Sequence, residues 1–296
     1  MEFYQEVERS LITTYRKRIW SPFTKAVRDY QLIQPGDKIA VCISGGKDSM
    51  LLAKLIQELQ KHGPVNFEAI YLCMDPGYAD ENRKLLLENA RRLHVPLQMF
   101  DSPIFDVVVG VDKNPCYLCA RMRRGYLYCK AQELGCNKIA LGHHFSDMIE
   151  TVVMGMLYGG QIQTMMPKLY STHFPGMELI RPLYMVHEDD IIAWSSHHSL
   201  RFLQCACKFT AQSKHNEMLS KRKTVKGMIR EWKKSNPQVE QNIFKSVHSV
   251  NLNTILGYKT DDSEYFFLDD YEERNPLKTQ KKSDVPLPCR ISPKNK

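Results

Sequence analysis

The sequence predicts an α/β protein: an open parallel sheet flanked by helices, with helical additions before and after it. Three observations lead there. Short, continuously apolar runs of the kind buried in parallel strands alternate with amphipathic segments at helical spacing, in the order βαβαβ. The strand ends empty into polar, glycine-bearing turns. The length of 296 residues and a hydrophobic share of 43% suit one α/β domain of about 200 residues with appendages.

Residues 1–35 carry Tyr4, Val7, Leu11, Ile12, Tyr15 and Ile19 at helical spacing and read as a helical extension covering one side of the core. Arg16, Lys17 and Arg18 between them offer an RNA face as the alternative. Residues 39–43 form the first strand, and Leu51, Leu52, Leu55, Ile56 and Leu59 mark the helix that follows. Between them stands Ser44-Gly45-Gly46-Lys47-Asp48-Ser49. Gly45 and Gly46 let backbone N–H groups approach an anion, Ser44 and Ser49 add hydroxyls, Lys47 adds a charge, and the helix points its positive end at the same place. This is a phosphate cradle. Two glycines and a following aspartate set it apart from the GxxxxGK[ST] loop. Asp48 beside phosphates calls for a neutralising cation, which points to Mg2+.

Residues 67–74 are a second strand, with Asp75 at its end placed to face ribose or Mg2+. A helix over 80–93, a strand over 97–100, a helix over 120–134 and a strand over 138–141 follow. The last strand runs into Gly142-His143-His144-Phe145-Ser146-Asp147 before a helix over 148–158. In open parallel sheets ligands sit beyond the carboxyl ends of strands. Met74 and Gly142 therefore frame the nucleotide, and His143, His144 and Asp147 are the candidates for proton handling and substrate orientation, Asp147 first. Either histidine alternatively satisfies a backbone group. Residues 159–177 read as a long loop, 188–198 as a helix, and 201–203 as a short strand ending at Cys205. A strongly basic helix over 214–234 and a helix over 239–250 precede a tail that turns acidic and then Pro/Lys-rich, partly disordered by composition. The expected organisation is 1–35, 36–210, 211–257 and 258–296.

The net charge of +8 and pI near 8.9 fit a polyanionic partner such as RNA, and equally general solubility. Arg121, Arg123 and Arg124 on one helix and Lys221, Arg222 and Arg230 on the basic helix are the candidate RNA contacts, with a solvated face as the alternative. The start MEFYQEVERS lacks signal-peptide character, and no apolar run reaches membrane-spanning length, so a cytoplasmic protein without a membrane partner is expected.

Nine cysteines in such a chain are expected to stay reduced. Cys116-Tyr117-Leu118-Cys119 admits four readings: a redox pair, half of a zinc site, an iron–sulfur ligand pair, or two core thiols. Cys205-Ala206-Cys207 is awkwardly spaced for tetrahedral zinc. Cys42 and Cys73 lie in strand runs as small core residues; Cys129 and Cys136 belong to a helix and its exit, and Cys289 to the tail.

The SGGKDS string resembles the pyrophosphate-binding loop of the N-type ATP pyrophosphatases, whose fold is Rossmann-like, of the adenine nucleotide alpha hydrolase kind. Together with CYLCARMRRGYLYCKAQELG at 116–135, KIALGHHFSDMIETVVMGMLYGG at 138–160, PKL at 167–169, IRPL at 180–183 and a cysteine at 205, the order resembles the TtcA family of tRNA 2-thiocytidine synthetases over about residues 30–250. The resemblance implies ATP-dependent adenylation of the C2 carbonyl of a pyrimidine, cytidine 32 of the tRNA anticodon loop, and replacement of that oxygen by sulfur. It implies ATP, Mg2+ and a [4Fe-4S] cluster held by Cys116, Cys119 and Cys205, a sulfide or persulfide donor such as a cysteine desulfurase, and a homodimer, since family members are commonly dimeric. Where the family shows a second CxxC followed by Gly-Ser-Gln, this sequence has Cys205-Ala206-Cys207-Lys208-Phe209-Thr210, which makes Cys207 the alternative third ligand. Uridine thiolation, lysidine synthesis, desulfuration, or a non-catalytic nucleotide-binding iron–sulfur protein are the competing functions.

Overall fold

Strand β1 (Lys38–Cys42) is apolar on both sides, and each side meets its own layer. Ile39, Val41 and Ile43 pack into one core with Leu51, Leu55, Leu86 and Trp194, while Ala40 and Cys42 pack into another with Tyr128, Ala131, Ile139 and Leu179. A strand buried on both faces belongs in the middle of a parallel sheet. The computed structural model, which describes residues 1–102, 115–203 and 217–274 apart from the side chains of 115–120 and 217–220, places it there.

The sheet order is β3-β2-β1-β4-β6-β5, formed by β1, β2 (Glu68–Asp75), β3 (Leu97–Asp101), β4 (Lys138–Ala140), β5 (Lys168–Tyr170) and β6 (Glu178–Ile180). All pairings are parallel except β5 with β6. The chain builds outward from β1 to β3, then returns to place β4 on the other side of β1. The crevice beyond the carboxyl ends of β1 and β4 is therefore the switch point, the ordinary ligand position in such sheets.

Helices α1 (Phe3–Ile12) and α2 (Ser21–Asp29) precede the sheet, joined through a π-helical turn at Arg16–Trp20. Val7, Leu11, Tyr15, Ile19 and Phe23 are buried in the main core, so this region is packing material, and Arg18 pairs with Asp190. Helices α3 (Lys47–His62), α4 (Asp80–Arg92), α5 (Pro115–Glu133), α6 (Phe145–Gly159) and α7 (Glu188–His197) cross over or flank the strands. Helices α8 (Glu217–Ser235) and α9 (Val239–His248) follow. Val225 and Ile229 seat α8 on Phe145, Met148, Ile149, Val152 and Val153.

Three expectations change. Residues 201–203 join no ladder: Leu203 N donates to Gly45 O at 3.1 Å, and Arg201 O accepts from Asn89 Nδ2 at 2.7 Å, so the loop and α4 take the bonds a strand would offer. The expected loop over 159–177 contains β5, which closes the sheet edge as an antiparallel strand. Helix α6 starts at Phe145, so Asp147 lies inside its first turn.

The chain divides into two units, Met1–Val247 and His248–Lys296. In the second, β7 (Gly257–Lys259) and β8 (Glu264–Phe266) form a hairpin on which the rings of Tyr258 and Tyr265 stack with centroids 4.8 Å apart. No helix among the described residues is long and apolar enough to cross a membrane.

Candidate active site

The cradle forms as its sequence requires. Gly45 has φ +82°, and a Cβ there would lie 2.6 Å from Leu203 Cδ1, so both conformation and space demand glycine. Ser49 Oγ donates to Gly46 O at 2.9 Å and accepts from Ser44 N at 3.2 Å, which folds the loop over the first turn of α3. Lys47 Nζ sits between Asp48 and Glu188, 3.1 Å and 3.3 Å from their oxygens. Burial alone would lower the Lys47 pKa, but these two carboxylates reverse that and raise it. Glu188 also pairs with Lys226 of α8. Its burial favours the acid form, yet Lys226 and Lys47 outweigh it and bring its pKa down to about 2.

Asp48 Oδ1 is buried, with Lys47 Nζ at 3.1 Å and His144 Nε2 at 3.8 Å as its polar neighbours. A carboxylate that lines the cavity beside a phosphate cradle suits a hard divalent cation. Asp75 does not share that role, because its Oδ1 accepts from Gly77 N and Tyr78 N, both at 2.8 Å, and its Oδ2 faces Arg83 at 3.4 Å.

Gly142 packs the end of β4 against α3: a Cβ there would lie 3.1 Å from both Asp48 C and Ser49 N. His144 is the N-cap of α6. Its Nδ1 accepts from Asp147 N at 3.3 Å while Asp147 Oδ2 accepts from His144 N at 3.1 Å, a reciprocal cap. His143 is different: its Nδ1 is buried without a partner, and burial pulls its pKa down to about 4 against the attraction of Asp147. It is a neutral imidazole at physiological pH. Met74, His143, Asp147, Ser44, Asp48 and Arg123 line a cavity of about 380 Å³ at the switch point. A second cavity, about 980 Å³, lies across the loop between Lys47, Arg123 and Leu203.

The basic residues divide by position. Arg123 borders both cavities and Arg124 the first, whereas Arg121 is exposed. On α8, Arg222 lies 3.0 Å from Glu150 and 3.8 Å from Asp147, Lys221 sits 5.3 Å over the Tyr158 ring, and Arg230 is exposed. Of the six candidates, Arg222 and Lys221 are thus engaged within the protein. Sequence reasoning missed Glu188, whose only local signal is an acidic first turn of α7. It also missed Arg181, a guanidinium buried beyond β6 whose Nε has no partner.

The thiols separate as well. Burial raises Cys42 and Cys73 to about 12 and Cys136 to about 11, so these are protonated core residues. Cys129 is exposed, 3.6 Å from Glu133. Of Cys116 and Cys119 the backbone is described, in the first turns of α5; Cys205 and Cys207 lie outside the described residues. Leu203, two positions before Cys205, is bonded to Gly45, and α5 brings Arg123 to the same loop. Leu203 and Arg123, the described neighbours of these two cysteine-bearing stretches, thus meet the cradle from different elements. Soft thiols from two separate stretches of sequence suit an iron–sulfur ligand set.

The PP-loop domain family matches residues 15–215. The chain is 38% identical to the tRNA-cytidine(32) 2-sulfurtransferase of Bordetella pertussis over 79% of this chain and 72% of that protein. It is 36% identical to the enzyme of that name from Alkalilimnicola ehrlichii, over 81% and 75% respectively. The chain belongs to the PP-loop family, in its tRNA-cytidine(32) 2-sulfurtransferase branch. The PP-loop domain is an ATP-binding domain, and the matched residues include the cradle at 44–49. The U34-tRNA thiolase NcsA from Methanococcus maripaludis, solved with its [4Fe-4S] cluster, shares the fold at a TM-score of 0.60, covering 83% of this chain and 78% of that one at 22% identity.

Proposed function

We propose that this protein is an ATP-dependent tRNA sulfurtransferase that converts cytidine 32 of the anticodon loop to its 2-thio form. The observation that carries this reading is the likeness to tRNA-cytidine(32) 2-sulfurtransferases over about four-fifths of the chain, at a cradle adjoined by segments from two cysteine-bearing regions. Ser44, Gly45, Gly46, Lys47 and Ser49 hold the phosphates of ATP, and Met74 and Gly142 bound the space for adenosine. The base carbonyl oxygen attacks the α-phosphate, the bond to the β-phosphate breaks, and pyrophosphate leaves. The carbon–oxygen bond then yields to sulfur with AMP as the leaving group. Oxide is a poor leaving group and AMP a good one, which is why ATP is consumed.

Asp48 would hold Mg2+ through its carboxylate, and Cys116 and Cys119 with Cys205 or Cys207 would hold the [4Fe-4S] cluster. When bound, the metal neutralises phosphate charge and the cluster presents sulfur to the activated carbon. Asp147 handles the proton, and neutral His143 orients the base through hydrogen bonding. Arg123 and Arg124 meet anticodon-loop phosphates, with Arg121, Lys221 and Arg230 as the outer contacts, while Arg222 is held by Glu150 and Asp147. Base flipping is easiest where the base is already unpaired, as in a loop. The sulfur source is sulfide or a persulfide from a cysteine desulfurase, the assembly a homodimer, and the compartment the cytoplasm.

The test is anaerobic purification with spectroscopy, then nucleoside mass analysis of tRNA incubated with ATP, Mg2+ and sulfide. Appearance of 2-thiocytidine is expected. A colourless zinc protein would overturn the cluster, and tRNA that gains no sulfur would overturn the thiolase.

A further inference from the structure

One carboxylate joins the cradle lysine to the basic helix. Glu188 opens α7, and its backbone N–H donates to Ser146 Oγ at 3.3 Å, which ties it to the start of α6. Its Oε1 lies 3.3 Å from Lys47 Nζ, and its Oε2 pairs with Lys226 Nζ. The Glu188 side chain is 13% exposed, against 26% for Lys47 and 32% for Lys226, so the anion is the most enclosed of the three. A lone carboxylate in that position repels a triphosphate seated on the loop and competes with it for Lys47. Beside Lys226 the carboxylate is electrically balanced, and both effects shrink.

We infer that Lys226 is a positioning residue for ATP and not an RNA contact: by neutralising Glu188 it lets Lys47 exchange a carboxylate partner for phosphate. That role presupposes the ATP-dependent function proposed above. When nucleotide arrives, Lys47 turns to the phosphate oxygens and Lys226 keeps Glu188 compensated. Arg222, one turn earlier on the same helix, makes the corresponding contacts with Asp147 and Glu150. Helix α8 thereby serves the nucleotide site from behind while its exposed residues face outward.

Three measurements on the anaerobically purified full chain test it: Mg-ATP affinity by calorimetry, tRNA affinity by filter binding, and pyrophosphate release for kcat and KM. Lys226→Met is expected to weaken Mg-ATP binding and raise KM for ATP by about fivefold, the size of one half-exposed ion pair, with kcat and tRNA affinity each within about twofold. Adding Glu188→Gln to that variant restores Mg-ATP binding to within about twofold of the parent, because the uncompensated charge is gone. Lys226→Arg retains it. Weakened tRNA binding with unchanged ATP affinity in Lys226→Met, or a double variant no better than the single one, would overturn the inference. Thiolation is not among these readouts, so a tRNA that never gains sulfur would refute the proposed function and leave the ATP contrast readable.

Discussion

Lys138 and Asp48 stand at opposite ends of the same sheet, and their surroundings differ in kind. Lys138 begins β4 at the amino edge, where its Nζ meets Asp37 at 2.8 Å, Glu178 at 3.0 Å and Leu32 O at 3.0 Å. Asp37 in turn accepts from Asn137 Nδ2 and Gln34 N. Every partner there is supplied. At the carboxyl edge, buried polar atoms without a hydrogen-bond partner among the described residues follow several strands: Tyr78 OH after β2, Ser102 Oγ after β3, His143 Nδ1 after β4 and Arg181 Nε after β6. An unsatisfied buried group costs about 1–3 kcal/mol. Four such atoms collect at the edge where a ligand can supply the missing bonds, while Trp194 Nε1 in α7 bears the same cost inside the core.

Substitution at the two edges is expected to separate function from stability. Asp48→Asn should lower pyrophosphate release at least about a hundredfold, the scale on which a group aimed at developing charge matters. The same variant should unfold in urea within about 1 kcal/mol of the parent. Lys138→Met should do the reverse. It leaves Asp37 and Glu178 buried without their cation, a loss of about 3–5 kcal/mol in urea unfolding, with pyrophosphate release per folded molecule unchanged. Equal losses of activity and stability in both variants would erase the distinction between the edges.

A smaller effect should appear in stability against pH. Burial holds His143 at about 4 against its ordinary 6.5, so the unfolded chain takes up a proton that the folded one refuses. Its contribution is complete above pH 6.5 and is lost as pH falls toward about 4. Glu188, carried down to about 2 from 4.5 because Lys226 and Lys47 outweigh its burial, contributes above pH 4.5 and loses that contribution toward about 2. Urea unfolding across this range should show two windows. His143→Gln should flatten the upper one and leave the lower. A profile unchanged by that variant would place His143 in water.

The local parts of the site were readable because their causes are local. A strand, two glycines, a lysine and an amphipathic helix stand within one short stretch, so the phosphate cradle follows from neighbours in the chain. The reciprocal His144–Asp147 cap is equally local but was not read, because the helix was expected to begin only at 148. Asp75 was misread because its fate depends on a turn that offers two N–H groups to one oxygen. The run at 201–203 was misread because its partners, Gly45 and Asn89, are far away in sequence. Basic residues of α8 looked alike by composition, yet Arg222 and Lys226 face acidic groups while Arg230 is exposed.

By itself the sequence determined the alternation of strands and helices, the two-sided burial of β1, and the kind of anion the turn after it receives. These depend on the period of apolar residues and on glycine geometry, which act over a few positions. Only the tertiary structure decided which charges pair. Lys47 and Glu188 are 141 positions apart, and Lys226 is 38 beyond Glu188. Electrostatic partnership depends on distance in space, and that distance is set when the switch-point crevice brings α3, α6, α7 and α8 around one loop.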